Sequence, residues 1–460
     1  MTSAAVIAPG EQPGRTFLGH PRGLAYLAFT EAWERFSYYG MSSLLVLYMV
    51  NQLLLPGHVE HVAGFAGFRG LIEGTFGPLS TQALASQIFG LYSGFVYFTP
   101  VLGGWLGDRI GQRSAVVLGA LSMSGGHLAM AFDQSFLLAL LLLVIGSGLL
   151  KGNISAQVGS VYPAEDEARR TRGFAIFSTG INFGAVAGPL LCGFLATRYG
   201  WHVGFGTAAI FMLGALATYL SGYRYLPARV GRASVSKDPL TNDERKVVAA
   251  LVVVMAITVF AYIAYYQLAN VLPVWLQQHG DMNAWGFDVP IPWYLSIDPL
   301  FSILTVPLLF ALWRWQGRAS GREPSEIWKI GTGSFICAGA NLVLVTAIAL
   351  SGDRVLWVWP FLYCAIQGVA FMYFWPSLLA LVSRTAPPKI NALMMGVAFL
   401  TLFVANNLIG WIGTFYEQMT PISFWALHAG IGATGGLLAF LFGRTFGRIL
   451  EPHPQAAAKR

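Results

Sequence analysis

The chain has 460 residues, of which 55% are hydrophobic, 14% aromatic and only 11% charged. Average soluble domains carry roughly a quarter charged residues, so this chain has too few ionic groups to cover a soluble fold of its length. Its mean hydropathy of +0.59 makes the bilayer the expected solvent, which excludes most soluble enzymes and turns the formal charge of +7 from nucleic acid to membrane topology. Cys192, Cys337 and Cys364 all sit in apolar stretches without C-x-x-C spacing. They read as small packing residues, not as a disulfide framework or a metal site.

A spanning helix needs about 20 mostly apolar residues. Twelve such segments are predicted, near 24–52, 85–106, 114–132, 136–162, 173–197, 203–222, 247–276, 290–313, 327–350, 355–382, 391–415 and 421–443. No short apolar region with a small-residue cleavage site stands at the N-terminus, so the first segment is expected to be a retained span. With that terminus in the cytoplasm, the tails and cytoplasmic loops hold 23 of the 28 basic residues. The opposite loops hold three (Arg69, Arg198, Arg354) and the spans two (Arg35, Lys151). This asymmetry predicts both termini inside a cell (inner or plasma) membrane, with anionic headgroups against the basic face.

The first span reads Glu31-Ala-Trp-Glu34-Arg35-Phe36-Ser-Tyr38-Tyr39. An ionisable group in a span costs at least ~2.5 kcal/mol even on insertion scales, so each needs a reason. Spacings of three and four put Glu31, Glu34 and Arg35 on one helix face, and Tyr38 continues it one turn on. In the Gly-rich outer loop 53–84, Phe65, Phe68, Leu71 and Ile72 recur at helical spacing and predict a short interfacial helix. The second span ends in Gly104-Trp-Leu-Gly107-Asp108-Arg109-Ile-Gly111-Gln-Arg113. The glycines permit a tight turn, and Asp108 and Arg109 can cap or pair with neighbouring helix ends. Such a loop either holds two helices together or takes part directly in switching. His127, in the third span, reads as a hydrogen-bonded structural histidine. Lys151 is the only charge between Asp133 and Glu165, near the centre of the fourth span with little room to snorkel. Gly180 and Gly184 allow close helix approach.

Residues 223–246 are polar and basic and divide the spans six and six. The expected organisation is two six-helix bundles, 1–222 and 247–460, joined by a cytoplasmic linker. In the second half the only charge deep in a span is Asp298. Pro299 follows it, which disfavours helical geometry at 298 and removes a helix hydrogen bond, so an interruption of the kind that marks binding sites is predicted. Asp298 then either faces a substrate ammonium or caps the break with its own side chain. Trp293, Tyr294, Phe371, Tyr373 and Trp375 either line pockets or pack and anchor at the interface.

Fully ionised, Glu31, Glu34 and Asp298 against Arg35 and Lys151 leave one negative charge, which one bound proton neutralises. A low dielectric favours the neutral acid and a nearby cation favours the carboxylate. A carboxyl that trades its cation for a proton would therefore couple proton entry to a conformational cycle. Glu31 or Glu34 is the expected proton carrier, with Arg35 and Lys151 as alternating counter-ions or substrate anchors. The competing reading is a static ion-pair cluster locking the first helix to the fourth.

The central linker between six-helix halves, together with the 104–113 loop, resembles the major facilitator superfamily, an all-α membrane fold of two pseudo-symmetric bundles around a midplane cavity. Within it, Glu31-x-x-Glu34-Arg35-Phe36-x-Tyr38-Tyr39, Lys151-Gly-Asn153-Ile154-Ser155 and Phe177-x-x-Gly180-Ile181-Asn182-x-Gly184 resemble the proton-dependent oligopeptide transporter family. Leu295-Ser-Ile-Asp298-Pro299, Ala386-Pro-Pro388 and Met394-Met395-Gly396 extend the resemblance into the second half. It implies import of di- and tripeptides driven by protons. It also implies that Glu31, Glu34, Arg35 and Lys151 serve coupling and the peptide carboxylate, while Tyr38, Tyr39, Tyr97 and Asn182 contact the peptide backbone. Phenols and amides can bond any peptide without reading its side chains. The chain departs from that family at three places. Tyr266 and Phe371 stand where acids are usual, and Asp298 stands where asparagine is usual. The linker is also too short for the two extra helices that many bacterial members carry.

Two transport functions follow: a peptide–proton symporter working by alternating access, or the same machinery moving another small nitrogenous or carboxylated solute. No H-E-x-x-H or G-x-S-x-G motif supports an enzyme, and a lone central cluster of charge argues against a channel. A sensor that binds without moving its ligand is the remaining class. Protons serve as coupling ion and no cofactor is called for. The expected partners are a small solute and the lipid bilayer, with no nucleic acid, and the chain is expected to be a monomer.

Overall fold

Inside lipid every backbone N–H and C=O must find a partner within the chain, and a long apolar segment meets that demand as a helix. The computed structural model describes residues 16–17, 19–163, 166–227, 239–321, 323–352 and 354–450. Its helices are α1 (Arg22–Tyr48), α2 (Phe65–Phe76), α3 (Thr81–Ile110), α4 (Gln112–Ala129), α5 (Phe136–Ser160), α6 (Glu167–Tyr199) and α7 (Trp201–Gly222). They continue as α8 (Asn242–Asn270), α9 (Leu272–His279), α10 (Tyr294–Ser320), α11 (Glu326–Ser351), α12 (Val358–Thr385), α13 (Asn391–Gly413) and α14 (Pro421–Leu450). All but α2 and α9 are long, and these twelve coincide with the twelve predicted segments. Among the described residues, nine of them are long and apolar enough to span by composition alone. The exceptions are α1, which carries Glu31, Glu34 and Arg35, and the Gly-, Ser- and Gln-bearing α3 and α4. The expected interfacial helix is α2. Among the described residues, strands form only three two-residue pairings, all outside the helices.

Local chemistry sets the ends. Asp166 caps α6 by accepting from the Arg169 N–H, Thr241 and Glu244 form a reciprocal capping box on α8, and Ser325 accepts from the Trp328 N–H at α11. Each such cap contributes about 1 kcal/mol. Gly111, between α3 and α4, has φ +91°, a backbone conformation that strains any residue with a Cβ.

The chain divides into two compact units, Met1–Pro78 with Phe95–Arg232 and Leu79–Gly94 with Ala233–Arg460. Residues 228–238, the middle of the expected linker, lie outside the described residues. In the first unit α6 lays Gly180, Gly184 and Gly188 against α1. A Cβ at Gly184 would stand 2.6 Å from the Ala32 carbonyl oxygen and 2.7 Å from the Arg35 Cβ. Without a hydrophobic drive between helices in lipid, such small-residue contacts and interhelical hydrogen bonds carry the packing. Asn153 on α5 thus donates to the Gly103 carbonyl on α3 at 3.0 Å.

In the second unit, Leu251, Val254, Ile330, Leu378, Leu381 and Ala398 build an apolar core across α8, α11, α12 and α13. Polar side chains tie the same helices. Asn341 and Gln367 both donate to the Ala264 carbonyl, at 2.9 and 3.0 Å. The first half of α3 belongs to this unit, where Asn270 donates to the Ser86 hydroxyl at 2.6 Å.

Helix α10 corrects the expectation at Asp298. The helix runs unbroken through Pro299 and Pro307, so there is no unwound segment and no break for Asp298 to cap. Neighbouring α12 supports it: Gly368 admits the α10 backbone at Asp298 so closely that a Cβ would overlap the Asp298 carbonyl, and Ser302 donates to the Gly368 carbonyl at 3.0 Å. Packing against a neighbour lets a spanning helix keep its course past proline.

Candidate functional site

Helical periodicity brings the first-span residues onto one face, and α5 completes the set. The Arg35 Nε lies 3.0 Å from Glu31 Oε1 and 2.5 Å from Glu34 Oε2. All three side chains are buried: Glu34 is 0% exposed, Glu31 4% and Arg35 7%. One guanidinium thus serves two acids, and its Cζ lies 5.5 Å from the Tyr38 ring centroid. From α5, the Lys151 Nζ sits over two rings, 4.7 Å from the centroid of Tyr38 and 4.9 Å from that of Tyr97 on α3. It is enclosed and makes no hydrogen bond among the described residues. Tyr39 meets Tyr38 edge-on at 5.2 Å. Six of the expected residues and Lys151 therefore form one group: Glu31, Glu34, Arg35, Tyr38, Tyr39 and Tyr97. Asn182 is half-buried on α6, and no hydrogen bond joins it to this group among the described residues.

Chemically the group is a neutral quartet, two carboxylates against two cations, in which one cation rests on aromatic rings and makes no hydrogen bond among the described residues. An ammonium on a ring face is held by the ring quadrupole, by about 2 kcal/mol or more when desolvated. That leaves its three donors available to an incoming anion.

The second unit holds a different centre. Asp298 is buried on α10, and its Oδ2 accepts from the Tyr265 hydroxyl of α8 at 2.6 Å. Its Oδ1 is enclosed without a hydrogen bond among the described residues. Phe371 of α12 stacks on Tyr265 at 5.3 Å, and Tyr266 stacks on Tyr262 at 5.2 Å. Tyr265 is the residue that sequence reading passed over. It adjoins Tyr266, and nothing in a Tyr-Tyr pair says which ring turns to an acid 33 positions away. Trp375 lies apart from the acid, against Phe399 and the apolar core. Tyr294 donates to the Trp357 carbonyl at 3.0 Å, Trp293 packs near Phe287, and Tyr373 meets Trp313.

The 104–113 segment forms the end of α3 and the turn into α4. Arg109 lies over Trp105 at 3.8 Å and Arg113 over Tyr223 at 5.0 Å. Gly107 admits the Asn153 side chain, a Cβ at Gly104 would meet open space, and Asp108 is exposed. His127 corrects another expectation. It is fully buried, and neither ring nitrogen has a hydrogen-bond partner among the described residues.

Just before α1, the His20 Nδ1 lies 2.8 Å from the Tyr162 hydroxyl, while the Arg169 guanidinium donates to the Gly19 carbonyl at 3.0 and 2.7 Å. Burial, with the positive fields of Arg169 and Arg172, holds the His20 imidazole below its ordinary value. Burial also pushes the Tyr162 phenol up to about 12.

Residues 34–410 match the model of the Major Facilitator Superfamily. A di-/tripeptide transporter of Lactococcus lactis subsp. cremoris is 27% identical, over 93% of this chain and 96% of that protein. A solved mutant of the peptide transporter POT, in complex with alafosfalin, is 27% identical with a TM-score of 0.82, over 96% of this chain and 98% of that one. A POT family transporter solved with 5-aminolevulinic acid is 25% identical with a TM-score of 0.80, over 94% and 98%. The chain belongs to the major facilitator superfamily, and within it is a transporter, not an enzyme, related over nearly its full length to the POT peptide transporters.

Proposed function

We propose that the protein is a proton-coupled symporter that imports di- and tripeptides by alternating access, with both termini in the cytoplasm. The observation that carries this reading is the enclosed quartet of Glu31, Glu34, Arg35 and Lys151. Its Lys151 ammonium rests on Tyr38 and Tyr97 with no acid hydrogen-bonded to it among the described residues. A substrate carboxylate meeting that ammonium adds one negative charge to a neutral set, and a proton on Glu31 or Glu34 restores neutrality. Substrate and proton then stabilise each other's binding, which is what symport requires. Tyr39 and Asn182 extend the group as hydrogen-bonding partners for a peptide backbone. Asp298, in the second unit, supplies the charge that a substrate ammonium needs.

Purified protein in proteoliposomes should accumulate labelled dialanine under an acid-outside gradient and lose that accumulation when a protonophore is added. Glu34→Gln should reduce gradient-driven uptake about tenfold or more while leaving counterflow largely intact. Equal loss of both would identify the cluster as structural.

A second reading keeps the machinery and changes the cargo to a smaller solute bearing an amine and a carboxylate. Tyr266 and Phe371, with no charge to offer, favour it, as does the relative solved with 5-aminolevulinic acid. Failure of every di- and tripeptide to compete in counterflow, with competition by amino-acid-like solutes, would decide for it.

A further inference from the structure

At the far end of α1 from His20, the first unit gathers a second set of titratable groups that the transport reading does not use. The Tyr48 hydroxyl donates to Asp133 Oδ1 at 2.5 Å. His202 Nε2 lies 3.3 Å from the same oxygen, and His58 Nδ1 lies 3.2 Å from Oδ2. Gln52 also bonds this carboxylate, and its amide stands 3.3 Å from His202 Nε2. Four elements meet here: the end of α1 and its following turn, the loop before α2, the α4–α5 turn and the start of α7. Tyr48 is fully buried against Phe136, Trp201 and Phe205, whereas His58 and His202 have side chains 47% and 43% exposed. The loop is pinned a second time where the Ala63 N–H donates to the Gln134 carbonyl at 3.0 Å. The other charged or titratable groups on these elements are Glu60, which accepts from the Gly57 N–H, and His61. Arg198 stands at the end of α6, and Arg69 and Glu73 pair with each other on α2.

We propose that His58 and His202 form an acid-tightened clamp on Asp133 that fastens the loop leading into α2. With both imidazoles neutral, Asp133 is held by Tyr48 and Gln52, and its bonds to the histidines are ordinary ones. A proton on either ring converts its contact into a charge-assisted pair, roughly twice as strong. Under the proposed function this face is the outer one, so the loop is fastened by the same acidity that drives import.

Hydrogen–deuterium exchange of the full-length protein in nanodiscs, without substrate or gradient, tests the clamp independently of any transport claim. Corrected for intrinsic rates, protection of residues 54–64 should rise about tenfold between pH 8 and pH 5.5, while peptides of α11 stay constant. The rise should vanish in His58→Gln/His202→Gln. It should vanish equally in Asp133→Asn, which keeps an acceptor for Tyr48 and removes the charge. A flat wild-type profile, or an undiminished rise in either variant, would overturn the clamp. A protein that shows the clamp but moves no peptide would instead count against the transport reading.

Discussion

Glu31 and Glu34 share the Arg35 guanidinium, whereas Asp298 has a phenol on one oxygen and, among the described residues, no hydrogen bond on the other. The first unit thus offsets its buried acids internally and keeps one ammonium in hand, on two aromatic faces. The second unit keeps one acid in hand. Removing a single partner from a buried charge pair is far costlier than never having paired the charges. The two centres should therefore answer mutation differently: in stability where pairs are broken, and in substrate choice where a group is held unpaired.

The largest effect should come from Arg35→Met, which leaves two buried carboxylates facing each other. A loss of about 3–5 kcal/mol, read as a lowered unfolding temperature in detergent, is expected, and an unshifted midpoint would break the contrast. Next comes Lys151→Gln, which leaves both Glu31 and Glu34 ion-paired with Arg35. The fold should persist while affinity for carboxylate-bearing solutes falls by about 2–5 kcal/mol in ligand-stabilisation assays. Comparable destabilisation of the apo protein would place Lys151 with Arg35 as structural. Asp298→Asn keeps an acceptor for Tyr265, so it should weaken amine-bearing solutes about tenfold and spare their deaminated analogues. Equal effects on both would show that the acid reads no ammonium.

The smallest effect should lie at His20. Its folded-state value is depressed by burial first and by Arg169 and Arg172 next. Its contact with Tyr162 is therefore fully present above the ordinary value near 6.5 and lost as pH falls through the lower folded value. Corrected for intrinsic rates, exchange at Gly19 and His20 should quicken as pH falls below the ordinary imidazole value, and this change should vanish in His20→Gln. Acid thus loosens this end of α1 and tightens the other.

What could be read from the sequence divides along the same physical line. The twelve helices were legible because apolar length alone forces them, and the Glu31–Glu34–Arg35 face because helical spacing puts neighbours three and four apart. Contacts between distant segments carry no such period. Asp298 meets Tyr265 across two helices, and Asp133 meets His58 and His202 from opposite directions, so neither pairing has a local signature. Pro299 misled for a related reason. A proline breaks a helix only when nothing beside it compensates, and the compensation here is Gly368, on another helix.

Gly184 has a wider consequence. Because its missing methyl is what lets α6 reach the α1 backbone beside Arg35, the reach of the guanidinium toward its two acids is dimensioned from behind, by a residue that need never touch cargo. Gly184→Ala would act as a shim. Inserting one carbon at the rear of the helix would retune the coupling chemistry at its front, so selection for altered cargo can operate through residues remote from any ligand.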